Sequence, residues 1–132
     1  MKLSIKQGYL TMYYFIDSFY WESKSDDLGA LLGDLCPTIF VDCISADPAA
    51  WTTWRKIADT FGAGDYDNRN ISSVELLDVI ELFLKDFCGE CLYLDFIYKN
   101  IQLLKSNCFN TGLQERWQKA LNEGQEFNRG VS

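Results

Sequence analysis

Histidine is absent from this chain of 132 residues, and proline and methionine occur only twice each. Without histidine the chain has neither the commonest general base nor the commonest metal ligand. Neither a Ser–His nor a Cys–His nucleophile can be assembled. Basic residues are also few. Twelve Lys and Arg stand against 19 Asp and Glu, a formal charge of −7, and no basic run occurs. Nucleic-acid binding draws most of its affinity from phosphates neutralised by clustered Lys and Arg. The expected functions therefore include neither direct nucleic-acid binding nor attachment to an anionic membrane. A basic partner protein is the natural complement, because opposite fields speed encounter and set specificity. Long apolar runs are missing too. The aromatic stretch from Tyr9 to Trp21 is interrupted by Asp17 and Ser18, with no small-residue cleavage site after it. It reads as neither a membrane span nor a secretory signal.

What is present suits one folded domain. Hydrophobic residues make up 48% and aromatics 15%, enough for a core and too much for a disordered chain. The cysteines are Cys36, Cys43, Cys88, Cys91 and Cys108. An odd count with no visible leader points to reduced thiols in the cytoplasm.

Set against itself with a shift of 68, the chain aligns Ser4, Phe15, Phe19, Asp27 and Leu35 with Ser72, Phe83, Phe87, Asp95 and Leu103. Near the end of each half the shift drops to 63, so that Trp54 meets Trp117 and Lys56 meets Lys119. Each half opens on a capping box, Ser4–Gln7 and Ser72–Glu75, in which serine takes an orphan backbone N–H and the Gln or Glu reaches back. Apolar residues follow at steps of three and four: Tyr9, Met12, Ile16 and Phe19, then Leu77, Ile80, Leu84 and Phe87. A shorter helix comes next. In the first half Ser25 caps it, Leu28, Leu31, Leu32 and Leu35 form its inner face, and Pro37 stops it. In the second half Leu94, Ile97, Tyr98, Ile101 and Leu104 do the same work, ending near Asn107. The third segment begins with Asp47 as N-cap and Pro48 at the first helical position. Trp51, Trp54, Ala58 and Phe61 share its face, and Gly62 and Gly64 end it. Its counterpart runs from Leu113 through Trp117 to Leu121, with Gly124 as the stop.

The expected fold is all-α, a compact bundle of about six to eight helices built from two pseudo-repeats. Repeat 1 covers about 1–61, a Gly-, Asp- and Asn-rich connector 62–70, repeat 2 about 71–123, and a frayed tail 124–132. The β-branched run Thr38–Ile44 reads as an apolar loop over the core.

Motifs that could carry chemistry are weak. Cys88-Gly89-Glu90-Cys91 is a CxxC at the end of a helix, whereas a redox cysteine belongs at a helix start that lowers its pKa. A metal would need a second ligand pair, so the expectation is free thiols, no metal and no cofactor. Asp26 and Asp27 sit at a helix N-terminus, which favours their ionised form and suits capping or partner contact better than acid catalysis. Asp65-Tyr66-Asp67-Asn68 resembles part of a calcium loop but lacks the full spacing and terminal Glu. Residues 1 to 68 hold ten acids and five bases, against nine and seven in the remainder, so the first half and connector form the better binding face.

The stretch Ser25-Asp26-Asp27-Leu28-Gly29-Ala30-Leu31-Leu32-Gly33-Asp34-Leu35, then Asp47-Pro48-Ala49-Ala50-Trp51-Thr52-Thr53-Trp54, together with the aromatic first helix, resembles small helical bacterial immunity proteins. These include those of contact-dependent growth inhibition systems. The likeness runs over residues 1 to 60 and is looser beyond. It implies a cytoplasmic protein, not an enzyme, that binds a cognate toxin domain as a monomer, 1:1. The expected toxin is a basic nuclease of RNase type, whose active site the acidic surface covers. A generic helical adaptor is the alternative, and a small enzyme comes after it. From charge alone, the expected partner-binding residues are Asp26, Asp27, Asp34, Asp65, Tyr66 and Asp67.

Overall fold

Two serines start the two long helices, and both do so with a complete capping box. Gln7 N–H donates to Ser4 Oγ (3.0 Å) while Ser4 N–H donates to Gln7 Oε1 (3.1 Å). Glu75 N–H donates to Ser72 Oγ (3.1 Å) and Ser72 N–H to Glu75 Oε1 (3.2 Å). In the computed structural model the described residues are 2–37, 45, 47–61, 71–89, 91–107 and 111–131, without the side chains of 127–131. The elements are β1 (Lys2–Leu3), α1 (Ile5–Ser23), α2 (Asp26–Leu35), α3 (Pro48–Asp59), β2 (Ile71–Ser72), α4 (Ser73–Cys88), a 3-10 turn (Leu92–Leu94), α5 (Asp95–Ser106) and α6 (Thr111–Val131). The fold is all-α, a bundle of six helices with a two-stranded ribbon of two residues per strand.

The ribbon was not foreseen from the sequence. β1 and β2 pair antiparallel, with Lys2 opposite Ser72 and Leu3 opposite Ile71. Leu3 and Ile71 are also the residues that coincide at the 68-residue shift. Pairing of like with like is what a local two-fold axis between the halves produces. Packing follows the same exchange: α6 lies chiefly on α1, and α3 chiefly on α4. Each half is thus covered by the last helix of the other.

The remaining caps follow from local chemistry. Ser25 Oγ accepts from Leu28 N–H (3.3 Å), and Asp47 Oδ1 accepts from Ala49 N–H (2.9 Å) ahead of Pro48. α1 stops at Lys24 and α5 at Asn107, both in the left-handed conformation. Gly62 and Gly64, expected to end α3, lie outside the described residues, as do the Thr38–Ile44 run and Asp65–Asn68.

An aromatic cluster ties α1, α3 and α4. Tyr9 meets Trp51 and Trp54 edge-on (centroids 5.6 and 5.7 Å), and Trp54 meets Phe83 (5.6 Å). The polar handles of these rings are satisfied across elements. Trp54 Nε1 donates to Ile5 O (3.0 Å), and Tyr9 Oη donates to Leu35 O (2.6 Å), docking α3 and the end of α2 on α1.

One expectation is overturned. Gly124 is neither a stop nor the start of a frayed tail, because α6 continues through it to Val131. The glycine is buried where α6 crosses α1. A Cβ there would collide with Thr11 Oγ1 and come within 2.8 Å of Gln7 O and 2.9 Å of Thr11 N. Gln7 Nε2 reaches across the same crossing to Gln125 O (3.4 Å). No helix among the described residues is long and apolar enough to cross a membrane.

Candidate functional site

Helix α2 is amphipathic in a simple way. Leu28, Leu31, Leu32 and Leu35 are buried, while Asp26, Asp27, Ala30, Gly33 and Asp34 are exposed. Asp27 and Asp34 are two turns apart on one face, about 10 Å along the axis. Only small residues lie between them, so the outer face is a shallow acidic stripe. Residues 25 to 54 hold five carboxylates and no Lys or Arg. Among the described residues Asp26, Asp27 and Asp34 form no ion pair. The structure thus brings three of the six expected site residues onto one helix; Asp65, Tyr66 and Asp67 lie outside the described residues.

The stripe borders a second feature that the sequence did not announce. The 3-10 turn packs beside α2. Beyond it, a groove of about 790 Å³ opens between the end of α4, the turn and the start of α5. Lys85, Gly89, Cys91, Leu92, Asp95 and Tyr98 line it. Leu92 is 87% exposed, more than Trp21, Val74, Leu82 or Leu103, the other exposed large hydrophobics among the described residues. The Tyr98 hydroxyl is covered and has no hydrogen-bond partner among the described residues. Lys85, the cation among the described lining residues, is held by Glu81 (3.0 Å) and sits over the Tyr98 ring (5.5 Å).

The electrostatics link groove and stripe. Burial pushes the Cys88 thiol up to about 11, with Cys91 and Asp34 adding to it and a hydrogen bond from Tyr93 opposing it. Burial also raises Tyr93, and Cys88, Cys91 and Asp27 contribute. Tyr98 is pushed up to about 12, by burial first and then by Cys88, Cys91, Glu81 and Asp95. Asp27 and Asp34 lie on α2, which packs beside the turn at this edge. A thiol held protonated is a poor nucleophile. Cys88 also closes the C-terminal turn of α4, where the helix dipole opposes a thiolate. The CxxC thus has the environment of half-buried structural thiols. Among the described residues no group of three or more His, Cys, Asp and Glu stands close enough to hold a metal ion.

The missed groove residues left one signal in the sequence, an apolar Leu92-Tyr93-Leu94 directly after a Gly-containing helix end. In an apolar run, nothing local says which leucine faces water.

The other charged surface behaves differently. On α4 and α5, Glu81 accepts from Gln102 Nε2 (2.9 and 3.0 Å) and pairs with Lys85 and Lys105, and Lys105 also pairs with Asp78 (2.5 Å). Burial acts to raise the Glu81 carboxyl, but the hydrogen bonds and charges of Lys85 and Lys105 outweigh it and hold the group below its ordinary value.

Comparison with protein-family models, curated proteins and solved structures finds no match for this chain.

Proposed function

We propose that the chain is a protein-binding inhibitor of the immunity kind, which neutralises a basic toxin domain by laying an acidic face over its active site. The observation that carries this reading is the α2 stripe: Asp26, Asp27 and Asp34 exposed, close together and without ion pairs among the described residues. A carboxylate that has no partner in its own fold is available to Lys or Arg of another protein. Charge pairs formed across an interface set on-rate and specificity. A nuclease fits because its phosphate-binding cleft is basic. In this reading the protein acts in the cytoplasm, as a monomer binding 1:1, and performs no chemistry itself.

The test is a titration against the toxin-type domain encoded beside it, at low and at moderate salt. Tight binding that weakens with salt and silences the nuclease supports the proposal. No binding and no protection of toxin-exposed cells would remove the toxin from it.

A further inference from the structure

Leu92 is the most exposed large hydrophobic residue among the described residues. An aliphatic side chain 87% exposed at the lip of a groove stays uncovered in the isolated chain. A single exposed leucine needs no explanation by itself. This one, however, has exposed carboxylates on the elements beside it. Asp95 lines the groove and is exposed at the start of α5. Asp27 and Asp34 are exposed on α2, the helix that packs beside the 3-10 turn carrying Leu92. Among the described lining residues the cation, Lys85, is already engaged by Glu81. An apolar wall with carboxylates around it and its cation neutralised is complementary to one kind of segment. That segment carries an apolar side chain flanked by Lys or Arg. Interface cores are apolar and their rims charged in the same arrangement.

We propose that this groove is an anchoring site for a basic, apolar-centred segment of a partner protein. An apolar side chain packs on Leu92, and neighbouring Lys or Arg side chains reach Asp95, Asp27 and Asp34. The proposal deepens the partner-binding reading and rests on it for the partner's charge, but it needs no particular toxin. Groove and stripe become one continuous surface, with the stripe steering and Leu92 anchoring.

The experiment uses the full chain and a displayed library of random peptides of about 12 residues, long enough to cross such a groove. Selection is run on the wild type, and affinities of the enriched peptides are then measured on wild type, Leu92→Asp and the double variant Asp27→Asn/Asp34→Asn. All three positions are exposed, and far-UV circular dichroism checks that each variant keeps its helix content. The expected result is enrichment of peptides with Lys or Arg beside Leu, Ile, Phe or Met. Their affinity should fall ~10-fold or more on Leu92→Asp, the loss expected for a central anchor. On the double variant it should fall ~3-fold, and less at high salt. The proposal is overturned if nothing is enriched, if enriched peptides are acidic or uncharged, or if they bind Leu92→Asp as well as wild type. Self-association of the wild type that Leu92→Asp abolishes would also overturn it, by assigning the patch to a second copy of the chain. Peptides that behave as expected while the neighbouring toxin fails to bind would leave the groove standing and remove only the toxin.

Discussion

The two halves of this chain start alike and then use their charges in opposite ways. Both long helices begin at a serine with a full capping box, and both second helices begin near an aspartate, Asp27 in α2 and Asp95 in α5. In the second half two acids of α4, Asp78 and Glu81, are tied to Lys85, Lys105 and Gln102. In the first half the acids on α2 pair with nothing among the described residues. The same residue type therefore stabilises a seam in one place and stays available in the other. Net charge alone could not distinguish these uses; the presence or absence of a cation one helix away does.

The halves differ most where the last helices cross. At the 63-residue shift, the counterpart of Gly124 is Phe61, which packs half-buried against the core. Making the halves alike with Gly124→Phe should be the most damaging change. It forces a ring into space held by Thr11 and the Gln7 carbonyl, and should cost about 3 kcal/mol or more. The urea midpoint followed by circular dichroism reads this directly, and a midpoint within error of wild type would deny the close crossing. Next in size is removal of charge from the α2 stripe. Asp26→Asn/Asp27→Asn/Asp34→Asn should weaken binding to a basic partner about tenfold or more at low salt. Equal binding would move the interface away from α2.

The caps give a smaller, graded contrast. Ser4 is fully buried and Ser72 only half-buried. Ser4→Ala should cost nearer ~2 kcal/mol and Ser72→Ala nearer ~1, since a lost cap hurts more where water cannot replace it. Equal costs in the urea midpoint would erase the difference. The paired seam should also show in its pH dependence. The Glu81 carboxyl lies below its ordinary 4.5 in the folded chain, so its contribution is complete above that pH. The contribution fades as pH falls through the lower folded value. Glu81→Gln should flatten this acid limb of the stability curve. Least of all, Tyr98→Phe removes a covered hydroxyl that has no partner among the described residues and should leave stability equal or higher by up to about 1 kcal/mol. A loss of stability would mean that the hydroxyl is satisfied in solution.

What the sequence revealed was local. Ser4–Gln7, Ser72–Glu75, Ser25 and Asp47–Pro48 were readable because a cap is decided within four residues. The inner faces of α1, α2 and α4 were readable from spacing alone. Gly124 was not. Its neighbours Asn122, Glu123, Gln125 and Glu126 look like a helix ending, and its real constraint comes from Thr11, more than a hundred residues away. The aligned pair Leu35 and Leu103 shows the same limit: Leu35 is buried and Leu103 is 40% exposed, while its neighbour Leu104 is the one buried. The acidic stripe was readable as composition, but its lack of counter-ions was not, and the groove at Leu92 depends on three elements that meet only in the fold.

The crossing of α6 over α1 also sets a clock on synthesis. Gln7 and Gln125, which bond across it, are 118 residues apart in the chain. At roughly 5–20 residues per second, the ribosome needs on the order of 6–24 s between the two. For that time the apolar face of α1 has emerged without the helix that covers it. The newborn chain is therefore most exposed to aggregation and to chaperones along Tyr9–Phe19, whose Tyr9, Leu10, Met12, Phe15, Ile16 and Phe19 are buried once folding is complete.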